Sequence, residues 1–346
     1  MKKRFFAALI AAMVLTAAAF AQDFPAYLKM VEGTVIAGCD KDDLPDNLVI
    51  PEGVTGIGKS VFRECMYLES VVIPGSVKII SYDAFSGCSS LKSVTLAEGV
   101  EKIDRETFRG CTSLESIEIP ESVTAIGEYA FEGCTSLKSV TIPEGVTAIG
   151  AGVFGGCTSL ASVTIPASVK EIGGGFYDRD GAFNGCTSLK SVTIPEGVTA
   201  IGRNAFRNCT SLASVTIPES VTAIDDDAFR GTGLKTVTIP KGVKTIGKEA
   251  FKDCKSLESV TFQRGVTEIG GRAFNGCTSL KSVSIPRSVT KIDGRAFSNC
   301  GNLTVQYDGT KAQWEAIKKG SGGYDIGSFA VRCSDGEFSK QDWYKP

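Results

Sequence analysis

The apolar positions of this chain recur with two nested spacings. In residues 134–154, CTSLKSVTIPEGVTAIGAGVF, Leu137, Val140 and Ile142 alternate with Ser139 and Thr141, the period-2 pattern of a short, half-buried strand. Pro143 removes a backbone donor and ends the strand, and Gly145 permits a sharp bend. Val146 and Ile149 form a second apolar patch, followed by a Gly-rich corner and an inward Phe154. The whole unit then repeats about every 23 residues, marked by Phe62, Phe85, Phe108, Phe131, Phe154, Phe183, Phe206, Phe229, Phe251, Phe274 and Phe297. A fixed period of this length predicts a stacked array in which each unit leans on its neighbours. The half-dozen apolar groups of one unit cannot by themselves offset the entropy of ordering it, so no copy folds alone. Stacking joins backbone N–H and C=O groups between coils and predicts a continuous parallel sheet along one face. Eleven coils at about 4.8 Å per strand give a rod or arc roughly 50 Å long.

A longer period of two units is superimposed. After each anchoring Leu the residue alternates between Lys92, Lys138, Lys190, Lys235, Lys281 and the intervening Glu69, Glu115, Ala161, Ala213, Glu258. The turn residue alternates as well, from Gly53 to Ser76 to Gly99 to Ser122, until the pattern slips at Gly242 and Gly265. Growth by duplication of unit pairs explains the alternation, and it keeps like charges two coils apart. Two sites break the period. Six extra residues fall between Ile172 and Ala182, in GGGFYDRDG, and one residue is missing near Thr232, after the cluster Asp225, Asp226 and Asp227. Insertions in solenoids map to loops and often to binding faces; the bland alternative is a tolerated bulge. Asp178 and Asp180 before Gly181 match the start of a calcium loop, but the later acidic ligands are missing. The Asp run is expected to be a solvated charge cluster.

Ten of the twelve cysteines share one repeat phase: Cys65, Cys88, Cys111, Cys134, Cys157, Cys186, Cys209, Cys254, Cys277 and Cys300, with Thr232 in the remaining copy. One phase in a solenoid is one column, and neighbouring Phe and Leu put it at the core. It is expected to be a ladder of buried free thiols, Cys packing as a small hydrophobe with a weak S–H donor. Strand spacing would meet the distance a disulfide needs, but the side chains run parallel instead of converging, which leaves room for a few bridges at most. A metal site is disfavoured because the chain has no CxxC pair and no His.

The ends differ from the repeats. Residues 1–21 have a basic start at Lys2, Lys3 and Arg4, a short apolar stretch, and the small residues Ala19 and Ala21, which is the pattern of a secretory signal peptide and not of a membrane span. No later stretch is apolar for long enough to cross a bilayer. No Cys follows the expected cleavage point, which argues against a lipoprotein anchor. Losing three basic residues with the leader leaves 34 against 39 acidic ones and moves the net charge from −2 to −5; without a basic stripe, nucleic acid is not an expected partner. Residues 22–47 lack the unit and are expected to cap the first coil through Leu28, Val31, Val35 and Ile36. Residues 304–346 are expected to form a C-terminal cap and tail: one strand, a short helix with Trp314 and Ile317 on one face, and a last strand at Val331 and Cys333. Such a cap shields the sheet edge from joining another chain.

The unit C-x-x-L-x-x-V-x-I-P-x-x-V-x-x-I-G-x-x-A-F resembles the BspA-like, treponemal-type leucine-rich repeat of bacterial surface proteins. The resemblance covers about residues 48–303, and the C-terminal segment is also similar to the ends of many such proteins. It implies a leucine-rich-repeat solenoid, a β-rich horseshoe or arc with a parallel sheet along one face and short helical turns. It further implies an exported adhesin or surface antigen that binds host matrix proteins or other bacteria, and it brings no catalytic residues.

Without His there is no Ser-His or Cys-His pair and no imidazole base, so no enzyme and no cofactor are expected. Paired carboxylates remain, but they sit in turns, where solvation is their ordinary role. Two candidate contact sets follow. One is the exposed strand row, with Ser93, Thr95, Ser116, Glu118, Ser139, Thr141, Ser162, Thr164, Ser191, Thr193, Ser214 and Thr216. Such a row can hydrogen-bond a protein strand or a glycan, although Ser and Thr are also simply good strand residues. The other is the insertion, with Phe176, Tyr177, Asp178 and Arg179. Few aromatics in the row favour a protein ligand, from host matrix or a bacterial surface, over a glycan. A spacer of the periplasm or cell surface, without a ligand, is the alternative.

Overall fold

The computed structural model describes residues 24–174, 180–319 and 326–338; the leader reading of residues 1–21 lies outside them. The chain is a parallel β-solenoid of stacked coils with very little helix. Each coil has three sides. The first carries the expected strand, as in Ser139–Thr141, and neighbouring coils pair residue for residue: Ser139 with Ser162, Val140 with Val163, Thr141 with Thr164. The second carries a two-residue strand such as Ala148–Ile149, paired with Glu171–Ile172 in the next coil. The third is the turn that delivers the Phe.

The first-face sheet is interrupted, where one continuous sheet was expected. It forms a four-stranded block from Asn47–Val49 to Ser116–Glu118, two strand pairs, and a six-stranded block that begins at Thr236–Ile239. The strands around the breaks are three residues long, against four in most flanking copies. Between blocks the coils are held by bonds such as Lys138 N–H to Glu115 O (3.1 Å), Lys190 N–H to Ala161 O (3.4 Å) and Lys235 N–H to Ala213 O (3.2 Å). The second face forms sheets of six and eight strands.

The third side is a stack of turns. Alternate amides bond to the next coil, with Tyr129 to Ala151 O (2.9 Å), Phe131 to Val153 O (2.9 Å) and Gly133 to Gly155 O (2.7 Å), while Ala130, Glu132 and Cys134 bond within their own turn. This alternation uses left-handed residues two before and two after the Phe, as at Tyr129 (φ 57°) and Gly133 (φ 74°), in every coil but that of Phe183, where Gly181 is not left-handed. In the Phe131 turn the amides of residues 129–134 are paired in this way without a helix.

Inside, the eleven Phe side chains are fully buried and form one stack, with ring centroids 5.0–5.6 Å apart and interplanar angles of 16° or less. Phe329 closes it edge-on against Phe297 at 5.7 Å. Beside it runs the thiol column. All twelve cysteines are free and the ten repeat cysteines are buried. Each S–H from Cys88 onward donates to the Phe carbonyl of the preceding coil, as in Cys88 to Phe62 O (3.0 Å), Cys134 to Phe108 O (3.2 Å) and Cys300 to Phe274 O (3.0 Å). Thr232 stands in by donating to Phe229 O of its own coil at 2.9 Å.

At the N-terminal end, a hairpin of Leu28–Val31 and Val35–Cys39 adds its second strand to Gly56–Ile57. Leu28 and Ile36 are buried, whereas Val31, beside the hairpin turn, is 51% exposed and does not cover the coil. At the C-terminal end, Thr304–Tyr307 is followed by the helix Lys311–Glu315, started by a capping box between Thr310 and Gln313. Trp314 and Ile317 are buried, and Trp314 meets Tyr307 edge-on at 5.1 Å. Ala330–Cys333 adds a parallel strand, and Gly336–Phe338 turns back antiparallel to end the sheet. Among the described residues no helix is long and apolar enough to cross a membrane.

Candidate functional site

Parallel pairing brings the strand-row residues into one line. Thr95 pairs with Glu118, Thr141 with Thr164 and Thr193 with Thr216, with Ser93 and Ser116, Ser139 and Ser162, Ser191 and Ser214 in a second line beside them. All are exposed, because alternation turns the intervening Val or Ile inward. What distinguishes them is the state of their hydroxyls. In the corners, Thr side chains donate to the preceding coil: Thr112 to Ser89 O (3.3 Å), Thr135 to Thr112 O (3.2 Å), Thr222 to Thr199 O (3.1 Å), Thr267 to Lys244 O (3.2 Å). Among the described residues the row's hydroxyls, from Ser93 to Thr216, have no hydrogen-bond partner within the protein. Most corner threonines are occupied in holding the coils together, Thr147, Thr199, Thr210 and Thr278 being exceptions; row threonines are free to donate and accept.

Along one edge of the row run the alternating charges. Lys92 pairs with Glu69 (2.9 Å), Lys138 with Glu115 (2.6 Å) and Lys281 with Glu258 (4.0 Å). Where Ala161 and Ala213 replace Glu, exposed Lys190 and Lys235 have no carboxylate in ion-pair range among the described residues. The middle of the row is therefore flanked by two uncompensated cations.

Phe176, Tyr177, Asp178 and Arg179 lie outside the described residues, but both stems of the insertion are on view. A Cβ on Gly174 would fall 1.6 Å from Arg203 O, and one on Gly181 1.9 Å from Asn204 O, so both stems are pressed against the next coil where only Gly fits. Asp180 is buried, and its Oδ1 accepts from the Tyr129 hydroxyl at 2.8 Å. Tyr129 lies under Arg105, whose guanidinium is 5.4 Å from the ring centroid, and its ring fills the space above Gly152. Burial, followed by the bond to Asp180, raises the Tyr129 pKa well above the phenol range, so the hydroxyl stays protonated and donates. Sequence reasoning missed Tyr129; its signal is an aromatic at a position two before the Phe, which other copies fill with Asp83, Glu106, Asn204 or Glu249. The insertion emerges between the second-face strand Glu171–Ile172 and the Phe183 turn.

The Asp cluster is paired, not merely solvated. Asp226 contacts Arg203 (2.8 Å) and accepts from Lys248 N–H (2.7 Å), and Asp227 contacts Arg230 (3.0 Å). Burial, reinforced by Asp226, raises the Asp225 pKa. In the thiol column burial pushes Cys157 and Cys209 up to about 12, whereas at Cys254 burial is outweighed by hydrogen bonds from Cys277 and Thr232, which hold it below its ordinary value; a protonated thiol, unlike a thiolate, is a poor nucleophile and ligand. No group of three His, Cys, Asp or Glu residues suited to a metal occurs among the described residues.

The family model described as BspA type leucine rich repeat region matches residues 55–180 and 178–304, in six copies. The chain belongs to the BspA-type leucine-rich repeat family. A comparison with curated proteins returned no match. Among solved structures, a leucine-rich repeat protein from Bacteroides ovatus is 28% identical, with a TM-score of 0.64 over 86% of this chain and 90% of its own. A leucine rich cell surface protein from Faecalibacterium prausnitzii is 32% identical, with a TM-score of 0.53 over 89% of this chain and 100% of its own. The pneumococcal vaccine antigen PcpA is 20% identical over 90% of this chain and 88% of its own, with a TM-score of 0.54, a likeness of fold alone. BspA-type chains of this kind are bacterial leucine-rich repeat proteins, and no enzymatic family is indicated.

Proposed function

We propose that this chain is an exported, non-catalytic binding protein of the bacterial surface, an adhesin or surface antigen. Its Ser/Thr row lies against a protein ligand, from host extracellular matrix or the surface of another bacterium; a glycan is the second ligand class. The observation that carries the reading is the split between hydroxyls. Most corner threonines are spent on inter-coil bonds, while Thr95, Thr141, Thr164, Thr193 and Thr216, with Glu118, present unspent groups in one column, one per coil. A row of open hydroxyls of this kind can donate to and accept from the polar groups of a protein segment or a glycan laid across it. The insertion with Phe176, Tyr177, Asp178 and Arg179 is the second contact in this reading, held by Gly174, Gly181 and the Tyr129 to Asp180 bond.

The test is binding of residues 22–346 to a panel of immobilised matrix proteins and bacterial surfaces. Two variants accompany it: Thr141→Lys, Thr164→Lys and Thr193→Lys together, and a chain lacking residues 174–179, which restores the regular period. Saturable binding lost in the triple variant assigns contact to the row, and loss only in the deletion assigns it to the insertion. Uniform absence of binding at micromolar concentration would refute the adhesin reading and leave a spacer of the periplasm or cell surface.

A further inference from the structure

The opposite edge of the strand row, just after the strand-ending Pro, changes sign along the solenoid. Numbering coils by their Phe, the third, fourth and fifth carry Glu98, Glu121 and Glu144, whereas the ninth, tenth and eleventh carry Lys241, Arg264 and Arg287. All six side chains are exposed. Glu118 and Glu101 extend the acidic patch and Lys244 the basic one. The acidic set is held in a column: Glu121 N–H donates to Glu98 Oε1 and Glu144 N–H to Glu121 Oε2, both at 3.2 Å. Stacking like charges in consecutive coils is what the two-unit alternation on the other edge avoids. The basic column is only partly answered within the chain, Lys241 by Glu219 at 3.8 Å and Arg264 by Asp308 at 3.1 Å, and Arg287 has no carboxylate in range among the described residues.

We infer that this edge is a self-complementary interface between two copies of the chain, laid side by side and antiparallel about a two-fold axis at the seventh coil. The register decides the partner. The column also carries Glu52, Glu196 and Glu219, but its uninterrupted acidic run, Glu98, Glu121 and Glu144, and its basic run, Lys241, Arg264 and Arg287, span three coils each and are equidistant from the seventh coil. A two-fold axis there sets Lys241 against Glu144 of the second copy, Arg264 against Glu121 and Arg287 against Glu98, and the same three pairs form again on the other side of the axis. A staggered parallel contact would satisfy only one patch per contact and leave the other to recruit a further copy, whereas the two-fold arrangement closes. The two Glu196 side chains meet near the axis, each with Lys170 beside it, whose Nζ lies against Gly197. Thr124 and Thr267, Thr147 and Lys244, and Lys170 and Thr222 face one another in the adjoining column, so no like-charged pair opposes the contact there. Exposed ion pairs are individually weak, so the dimer is salt-sensitive and forms at high protein concentration.

The test is sedimentation velocity of residues 22–346 at protein concentrations up to about 10⁻⁴ M, in about 0.02 M and about 0.5 M salt. A monomer–dimer equilibrium at low salt that shifts to monomer at high salt is expected. K241E/R264E/R287E and E98K/E121K/E144K should each self-associate more than about tenfold more weakly, and an equimolar mixture of the two should dimerise again. Glu98 and Glu121 also hold turn amides, so the exchange of one pair within a single chain, R287E with E98R, serves where the acidic triple variant folds poorly; it should dimerise better than R287E alone. Monomer at low salt, a salt-insensitive dimer, open-ended growth with concentration, or no recovery in the mixture and in the exchanged pair would each overturn the inference.

Discussion

Phe206→Ala removes one ring from the middle of the aromatic stack, and the structure sets what that costs. Phe206 is fully buried between Phe183 and Phe229, each ring centroid 5.3 Å away and nearly parallel. The neighbours cannot close the gap, since Phe183 N–H is tied to Ala205 O and Phe206 N–H to Ala228 O, both at 2.8 Å, which fixes the coil spacing. Truncating a buried Phe costs about 3–5 kcal/mol, with the high end where the site cannot collapse, and two ring contacts add about 0.5–1.5 kcal/mol each. The expected loss is therefore about 5 kcal/mol or more. At the first coil Phe62 stacks on one ring only, Phe85 at 5.0 Å, and Phe62→Ala should cost about 3 kcal/mol. In a nearest-neighbour array a central defect also uncouples the flanking coils. Urea unfolding followed by far-ultraviolet circular dichroism should show Phe206→Ala with a broadened or divided transition and Phe62→Ala with a shifted one. A loss below about 2 kcal/mol at Phe206, or equal losses at the two sites, would refute the idea that the stack is a continuous load shared between coils.

Three further outcomes are expected. Glu249, whose side chain is 9% exposed, contacts Arg230 (2.9 Å), Lys252 (3.0 Å) and Arg272 (3.2 Å); burial alone would raise its pKa, but the hydrogen bonds from Lys252 and Arg272 outweigh it and hold the carboxyl below its ordinary 4.5. The stabilisation is present above that ordinary value and is lost as pH falls through the lower folded one; Glu249→Gln should cost about 1–3 kcal/mol at neutral pH and flatten the acid limb of a stability–pH curve, and an unchanged limb would count against the pairing. Thiol labelling of the native chain near pH 8 should reach the half-buried Cys39 and Cys333 and spare the ten column cysteines, while all twelve should react after unfolding; a shortfall in the unfolded chain would reveal disulfides. Tyr129→Phe removes the bond to Asp180 and should lower stability by about 1 kcal/mol; if the insertion contacts ligand, affinity falls without any contact residue being touched, and unchanged affinity would detach the insertion from binding.

The strand of each coil was legible because Leu137, Val140 and Ile142 alternate with polar residues over a span long enough to show a period. Its companion at Ala148–Ile149 was not, since two residues carry no period and pairing arises only once coils stack. The Phe turn was equally hidden: left-handed positions normally announce themselves by Gly or Asn, but here Glu106 (φ 58°), Tyr129 (φ 57°) and Arg272 (φ 57°) occupy them, held there by inter-coil bonds that outweigh local preference. The thiol column was legible from phase alone. The strand row was legible as an exposed line, yet which hydroxyls are free was not. Thr112 and Thr141 are the same residue in the same repeat family, and only the backbone each one faces separates a committed hydroxyl from an open one.

In a repeat protein the recurring residues are explained by stacking, since any coil must fit the next. Selection for anything else has to act on departures from the repeat, and this chain has few. Ala161 and Ala213 interrupt a charge alternation that otherwise neutralises each Lys, leaving Lys190 and Lys235 uncompensated beside the open hydroxyls of the row. The insertion is anchored by two glycines that tolerate no Cβ and by a Tyr to Asp bond reaching across from coils that lack the extra residues, which a tolerated bulge does not need. The far edge stacks like charges in three consecutive coils twice, acidic in the third to fifth and basic in the ninth to eleventh, against the rule kept on the near edge. None of the three is needed for the coils to stack, and the two charge departures place exposed, chemically distinct groups one per coil on the frame. A chain selected only as a stable rod would have lost all three, and their coexistence on one molecule is the physical case for partners at its surface.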